Sequence, residues 1–286
     1  MQRLVKSSSN LFGDYMRNGF AVIAEFLNKD QVKTLVDESE RIIGKYFVSS
    51  ESKAVVKPEE FNFDNQSVIH RDQVTITIHP NAFDETGHLK IPKYAALNTI
   101  GMKLHQNFDA FRQVTFSENV KSVLRWLQYI NPIVFESAIV YKAPGCSELP
   151  LHQDESYYRT DPPGSGVAFW IALDDATEQN GCLQVYPGSH KMSYLPRVFV
   201  EMHNQVKIIE ENNAYKDLDE SKFVPVPVSK GSLVLIDGFL IHKSGNNATD
   251  LLRRAYQFHL YDGNRSHWLG NNIVKEGQVY SFTPIY

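Results

Sequence analysis

Val167-Ala168-Phe169-Trp170-Ile171-Ala172 and Cys182-Leu183-Gln184-Val185-Tyr186 are short apolar runs separated by Asn180-Gly181 and followed by Pro187-Gly188. Runs of this length, rich in β-branched and aromatic residues and bounded by turn formers, read as strands. The same rhythm recurs at Ile133 to Tyr141, Phe223 to Val228, Ser232 to Ile236 and Arg254 to Tyr261, with Pro144-Gly145, Pro162-Pro163-Gly164 and Asp237-Gly238 between them. Many short strands after a helical first half predict a mainly β fold with helical additions, a jelly roll buttressed by N-terminal and middle helices. Residues 191 to 222 are long and polar and read as an insertion between core strands.

Toward the N-terminus, Phe20, Val22, Ala24 and Phe26 alternate after the Asn18-Gly19 turn, as in a strand with those four side chains inward. Asn28 then caps a helix whose apolar stripe is Val32, Leu35, Val36, Ile42, Ile43 and Tyr46, interrupted by Ser39. Ser49 to Asp64 is charged and broken by Pro58, and reads as a loop or lid. Val74 to Ile78 alternates as a strand. Tyr94 to Tyr129 reads as helical throughout, with Ser117 capping a segment that carries Val120, Val123, Leu124 and Leu127, and Asn131-Pro132 ends it.

The 286 residues are 42% hydrophobic and 22% charged, as in one ordinary globular domain spanning 1–286. A net charge of -4 offers no basic field for nucleic acid, and no apolar run reaches the roughly 20 residues that span a bilayer. A small-molecule substrate is therefore expected, with neither nucleic acid nor membrane as partner, and a monomer or weak homo-oligomer. Two cysteines, Cys146 and Cys182, make no disulfide framework and read as free thiols in a reducing compartment. Met1 to Asn10 has no apolar signal segment. Arg3-Leu4 with Asn10-Leu11 narrowly misses an N-terminal peroxisomal address, so cytoplasm is expected, with peroxisome as the alternative.

The chemistry centres on Leu151-His152-Gln153-Asp154 and the distant His242. On a strand, positions two apart share a face, so His152 and Asp154 reach one metal while Gln153 points away. The turn Asp237-Gly238 delivers Leu240, Ile241 and His242 as a short strand to the same place. Two histidines and a carboxylate form the facial set that binds Fe(II) and leaves three positions open for co-substrate and O2. Arg253, eleven residues beyond His242, can grip a carboxylate in two-pronged fashion on an adjacent strand. With ten histidines and sixteen aspartates in the chain, about half a His-x-Asp arises by chance, so the pair needs its context.

That context comes from Phe169-Trp170-Ile171-Ala172-Leu173-Asp174-Asp175-Ala176-Thr177-Glu178-Gln179-Asn180-Gly181-Cys182-Leu183, continued by Tyr186-Pro187-Gly188-Ser189-His190-Lys191. With Asp14-Tyr15-Met16-Arg17-Asn18-Gly19-Phe20-Ala21-Val22-Ile23 and the spacing from His242-Lys243-Ser244 to Arg253, it resembles the phytanoyl-CoA dioxygenase family from about Phe12 to Tyr261. The resemblance implies a double-stranded β-helix enzyme that uses Fe(II), 2-oxoglutarate and O2. It assigns iron to His152, Asp154 and His242. It assigns the distal carboxylate of 2-oxoglutarate to Arg253 with help from Ser244, a place beside that co-substrate to Trp170, and a weaker carry-over to Gln153. Succinate and CO2 would leave as a substrate C–H bond is hydroxylated.

The chain departs from the family at Asn98-Thr99-Ile100-Gly101, where many relatives have Asn-Lys-Ile-Gly and use that lysine at the co-substrate. Lys103, one turn along the expected helix, is the candidate to compensate. Asp154 is retained where family halogenases carry a small residue, which favours hydroxylation. His190 reads as a turn residue, and His105 and His259 as hydrogen-bonded core or ligand-supporting groups. Tyr157, Tyr158 and Arg159 border the substrate or form an exposed aromatic loop. Two function classes stay open: an oxygenase acting on a small or medium organic molecule, such as a carboxylic acid or acyl-CoA, and a ligand-binding or regulatory protein that keeps the fold.

Overall fold

The computed structural model describes residues 11–47, 67–70, 73–79, 82, 84, 89–146, 148–192, 198–202, 205–209, 215, 218–270, 272, 276–277 and 280–286. The expected loop at Ser49 to Asp64 and the N-terminal ten residues lie outside them.

The first half runs α1 (Leu11–Asn18), β1 (Phe20–Ile23), α2 (Lys29–Tyr46), β2 (Ser67–His70), β3 (Thr75–Ile78), α3 (Lys93–Ala96), β4 (Leu97–Met102), α4 (Leu104–Asn107), α5 (Asp109–Thr115) and α6 (Glu118–Trp126). The second half is almost all strand. It comprises β5 (Pro132–Lys142), β6 (Leu149–His152), β7 (Thr160–Asp161), β8 (Gly166–Ala172), β9 (Leu183–Val185), β10 (Val198–Met202), β11 (Gln205–Ile209), β12 (Val224–Val226), β13 (Leu233–Asp237), β14 (His242–Ser244), β15 (Arg253–Asp262), β16 (His267–Trp268) and β17 (Thr283–Pro284).

Two sheets form the jelly roll. The larger is ordered β1-β13-β8-β15-β5-β4-β3-β2, with β17 beside β5, and the smaller is β12-β9-β14-β6. Strand alternation divides the core between two faces of the large sheet. Val167, Phe169 and Ile171 of β8 with Leu233 and Leu235 of β13 join the helices' Leu35, Ile42, Phe111 and Leu124. Ala168, Trp170 and Ala172 with Val234 and Ile236 point into the roll against Leu183, Val185 and Val226 of the small sheet. Because helices cover one face and the second sheet the other, β8 is buried along its whole length. Between β9 and β12, β10 and β11 pair only with each other among the described residues.

Three local expectations are corrected. The strand from Phe20 stops at Ile23, and its deeply buried residues are Ala21 and Ile23, while Phe20 and Val22 pack half-buried inside the roll. Both phases are apolar because both faces are covered. In α2, Asn28 and Gln31 form the reciprocal capping box, but Ser39 does not interrupt the stripe: it is buried and its hydroxyl donates to the Val36 carbonyl at 2.7 Å. Tyr94 to Tyr129 is not continuous helix, since Leu97–Met102 is a strand between β3 and β5. Gly101 there has φ +152°, and a Cβ on it would lie 2.5 Å from the Ala138 Cα, so local periodicity yields to sheet pairing. Ser117 does cap α6, accepting from the Val120 N–H at 3.3 Å.

Candidate metal centre

β6 and β14 are neighbours in the small sheet, and their register sets His152 opposite His242. The pairing then slips, with Ser244 opposite Leu149, so three steps on β6 match two on β14 in a bulge-like irregularity. β6 ends at His152; Gln153 stays extended at φ -110° and ψ 137°, and Asp154 opens a turn of 3-10 helix through Ser156. Asp154 is thus not on the strand, as expected from the sequence, yet one extended residue suffices to return it to the face of His152. Leu240 and Ile241 also precede their strand rather than belong to it: the Leu240 N–H donates to the Asp237 carbonyl at 2.9 Å, and β14 begins at His242.

The Nε2 atoms of His152 and His242 lie 3.5 and 3.6 Å from Oδ1 of Asp154. The three buried residues offer ligand atoms that all lie within 4.8 Å of one another. The Nδ1 atoms of His152 and His242 sit 2.9 Å from the Pro150 and Leu240 carbonyls, respectively. A carbonyl only accepts, so each Nδ1 donates and each Nε2 is left facing the centre, the arrangement that orients metal-binding imidazoles. Burial, then repulsion from His152, takes His242 down to about 4 against the pull of Asp154. Burial would raise the Asp154 carboxyl, but attraction from His242 and His259 outweighs it and holds the group well below the ordinary range. Two imidazole nitrogens and a carboxylate oxygen therefore converge, and this donor set fits a divalent transition metal.

Arg253 opens β15 opposite Lys142 and is 2% exposed. Its guanidinium stacks over the Trp170 ring at 5.4 Å, one terminal nitrogen donates to the Gly181 carbonyl at 3.2 Å, and Nε has no hydrogen-bond partner. Among the described residues no carboxylate pairs with it, since Asp174 pairs with Arg254 instead at 2.8 Å. Lys142 donates to the Gly245 carbonyl at 2.7 Å, and burial followed by repulsion from Arg253 brings its ammonium down to about 8. Two buried cations side by side repel each other, and an incoming carboxylate relieves that repulsion.

Gln153 is fully buried and its amide donates to the Phe239 carbonyl at 2.7 Å, bracing the turn beside the metal ligands. Ser244 is buried on β14 two positions after His242. Thr99 is opposite Val140, itself opposite Ala255 of the roll interior, so Thr99 faces inward; its hydroxyl pairs with that of Thr77 at 2.6 Å. Lys103 is not one helical turn from Thr99: it bridges to Ser137, and its ammonium donates to the Gly277 carbonyl. Ser137 is five residues from Lys142 along β5, about 16 Å at the strand rise, so Lys103 lies away from Arg253.

His190 braces the turn at Gly19, with Nε2 3.3 Å from the Met16 carbonyl. His105 is core, Nδ1 2.6 Å from the Ser137 hydroxyl. Tyr158 is buried in an aromatic cluster with Phe135 and Trp268, Tyr157 meets His152 edge-on, and the Arg159 main chain is tied to Asn272. Sequence reasoning missed Lys142, whose one signal is a charge closing the apolar run before Pro144-Gly145.

Two histidines and a carboxylate on a jelly roll form a facial donor set that can hold a divalent transition metal. The chain belongs to the phytanoyl-CoA dioxygenase (PhyH) family, whose profile matches residues 15–255. It is 31% identical to the phytanoyl-CoA dioxygenase domain-containing protein 1 homolog of Caenorhabditis briggsae over 97% of this chain and 99% of that protein. It is also 31% identical to a phytanoyl-CoA dioxygenase of Arabidopsis thaliana, covering 94% of this chain and 93% of the relative. The solved structure of the epimerase SnoN in complex with Fe3+, alpha ketoglutarate and nogalamycin RO superposes with a TM-score of 0.61 at 14% identity, over 96% of this chain and 97% of that one, a likeness of fold.

Proposed function

We infer that this protein is an Fe(II)- and 2-oxoglutarate-dependent dioxygenase that hydroxylates a small or medium organic substrate, a carboxylic acid or acyl-CoA, and releases succinate and CO2. The observation that carries this reading is the convergence of His152, Asp154 and His242 within 4.8 Å with both Nδ1 atoms tied to main-chain carbonyls. When bound, iron with 2-oxoglutarate and O2 supplies oxidation of a C–H bond, one oxygen atom entering the substrate and the other succinate.

The residues of this chain position and shield that chemistry. His152, Asp154 and His242 would hold the metal. Arg253 would hold the distal carboxylate of 2-oxoglutarate with help from Ser244, through its Nε, which has no hydrogen-bond partner among the described residues. Trp170 covers one face of the guanidinium and keeps water from it. Gln153 holds the turn that aims Asp154. Phe135, Tyr158 and Trp268 form an apolar wall reached through His259, whose ring lies 6.2 Å from that of Phe135. No helix among the described residues is long and apolar enough to cross a membrane, and the cytoplasm is our proposed compartment, the peroxisome the alternative.

The test is an anaerobic titration of metal-free protein with Fe(II) and 2-oxoglutarate, following the visible charge-transfer band of a chelated iron–oxoacid complex. A band that is lost in the His242→Ala and Arg253→Ala proteins supports the reading. A folded, iron-loaded protein without the band favours the ligand-binding alternative.

A further inference from the structure

β15 carries one more chemically active residue into the roll. Ala255 faces the interior while Tyr256, Phe258 and Leu260 face the helices, so alternation turns Gln257 and His259 inward with Ala255. His259 stands opposite Glu136 on β5 and Ala168 on β8. Its Nε2 is 3.6 Å from Oδ2 of Asp154 and its Nδ1 is 4.0 Å from Oε2 of Glu136, charge contacts rather than hydrogen bonds, and among the described residues neither Oδ2 nor Nδ1 has a hydrogen-bond partner.

The two oxygens of Asp154 are thereby divided. Oδ1 faces the Nε2 atoms of His152 and His242, and Oδ2 faces that of His259. We propose that His259, backed by Glu136, is a positioning residue that holds the outer oxygen of Asp154, so that the metal meets a carboxylate presenting one oxygen rather than two. A free carboxylate rotates about its last torsion and binds a metal through either oxygen or both. A donor on one side breaks that equivalence. One-oxygen binding leaves three positions for co-substrate and O2, and two-oxygen binding leaves two. The Phe135 ring packed near His259 restricts the imidazole. This inference rests on the reading of His152, Asp154 and His242 as a metal centre.

The test uses cobalt(II) as probe on the full-length metal-free protein, measuring its affinity and its visible ligand-field spectrum, whose intensity reports coordination number. His259→Gln places an amide nitrogen near the position of Nε2, whereas His259→Asn places it near that of Nδ1, short of Asp154. His259→Gln should keep the wild-type affinity and spectrum. His259→Asn should lose about 10- to 100-fold in affinity with a changed spectrum, while both proteins melt alike without metal. Glu136→Gln, which weakens the backing but keeps the ring, should shift the spectrum in the direction of His259→Asn and decides the matter if the asparagine protein does not fold. Wild-type affinity and spectrum in His259→Asn or in Glu136→Gln overturn the positioning role, as does an equal loss in Gln and Asn that tracks a lower melting temperature. A wild-type protein that binds no cobalt removes the metal centre itself, a separate and earlier failure.

Discussion

His152 and His242, ninety positions apart, are directly opposed across the pairing of β6 with β14, and their ring centroids lie 4.2 Å apart. Sheet pairing, not chain proximity, brings the two nitrogen donors together. If the proposed centre holds iron, replacing either by alanine should lower Fe(II) affinity by more than the roughly 10- to 100-fold typical of an outer partner. Iron titration monitored by calorimetry checks this, and unchanged affinity in the His152→Ala protein would remove that residue from the centre.

Arg253 should bind strongly and stabilise little. Arg253→Met is expected to weaken 2-oxoglutarate binding by about 1.5–3 kcal/mol, roughly ten- to a hundredfold, because a charge-assisted hydrogen-bonding partner is lost. The same protein without ligand should melt no lower than wild type, since a buried cation lacking a counter-ion is replaced by an apolar side chain of similar length. Binding calorimetry and thermal denaturation separate the two effects.

Lys142 makes stability depend on alkaline pH. Its ammonium titrates near 8 in the folded protein because burial and then Arg253 disfavour the charge, against an ordinary value of 10.5. Between those values the unfolded chain holds a proton that the folded one has released, so this group's contribution raises stability as pH climbs from about 8 toward 10.5. Below that window both states are charged and the penalty is constant. Denaturation of wild type and Lys142→Met across roughly pH 7 to 10 should show a rise in the stability of wild type that the variant lacks.

Gly181 couples backbone to co-substrate. Its φ is +80°, and a Cβ would lie 2.4 Å from the Gly245 carbonyl and 2.7 Å from Cδ of Lys142, while its own carbonyl holds Arg253. Gly181→Ala should cost about 1–2 kcal/mol from the left-handed backbone alone and more from the clash. Because Arg253 shifts with it, 2-oxoglutarate binding should weaken alongside the melting temperature.

Thr99 faces the interior, in register with Val140, at the position where the family resemblance sets a lysine. Thr99→Lys should tighten 2-oxoglutarate binding by about tenfold if the ammonium reaches the carboxylate, and lower the stability of the free protein by adding a third buried cation near Arg253 and Lys142. Affinity that does not rise indicates that the Thr77–Thr99 pair suits a different ligand pose.

Much was legible in the chain. The turn-bounded runs located β5, β8, β9, β12, β13 and β15 because a buried strand needs little beyond apolar residues between breakers. The caps of α2 and α6 were readable because Asn28 and Ser117 act on N–H groups three residues away. β4 was misread as helix because its pairing partners, β3 and β5, lie outside any local window. His259 and Lys142 carried little local signal for the same reason: the first matters through Asp154 and the second through Arg253, each more than a hundred residues away in the chain.

By itself the sequence determined which donors exist, the strand-and-turn rhythm that makes a jelly roll, and the extended step that puts Asp154 on the face of His152. Only the tertiary structure decided that His242 completes the set, that Arg253 shares its buried end of the roll with Lys142, and that His259 faces the outer oxygen of Asp154. These relations depend on register between distant strands, and register is fixed by which faces are buried when the two sheets close on one another.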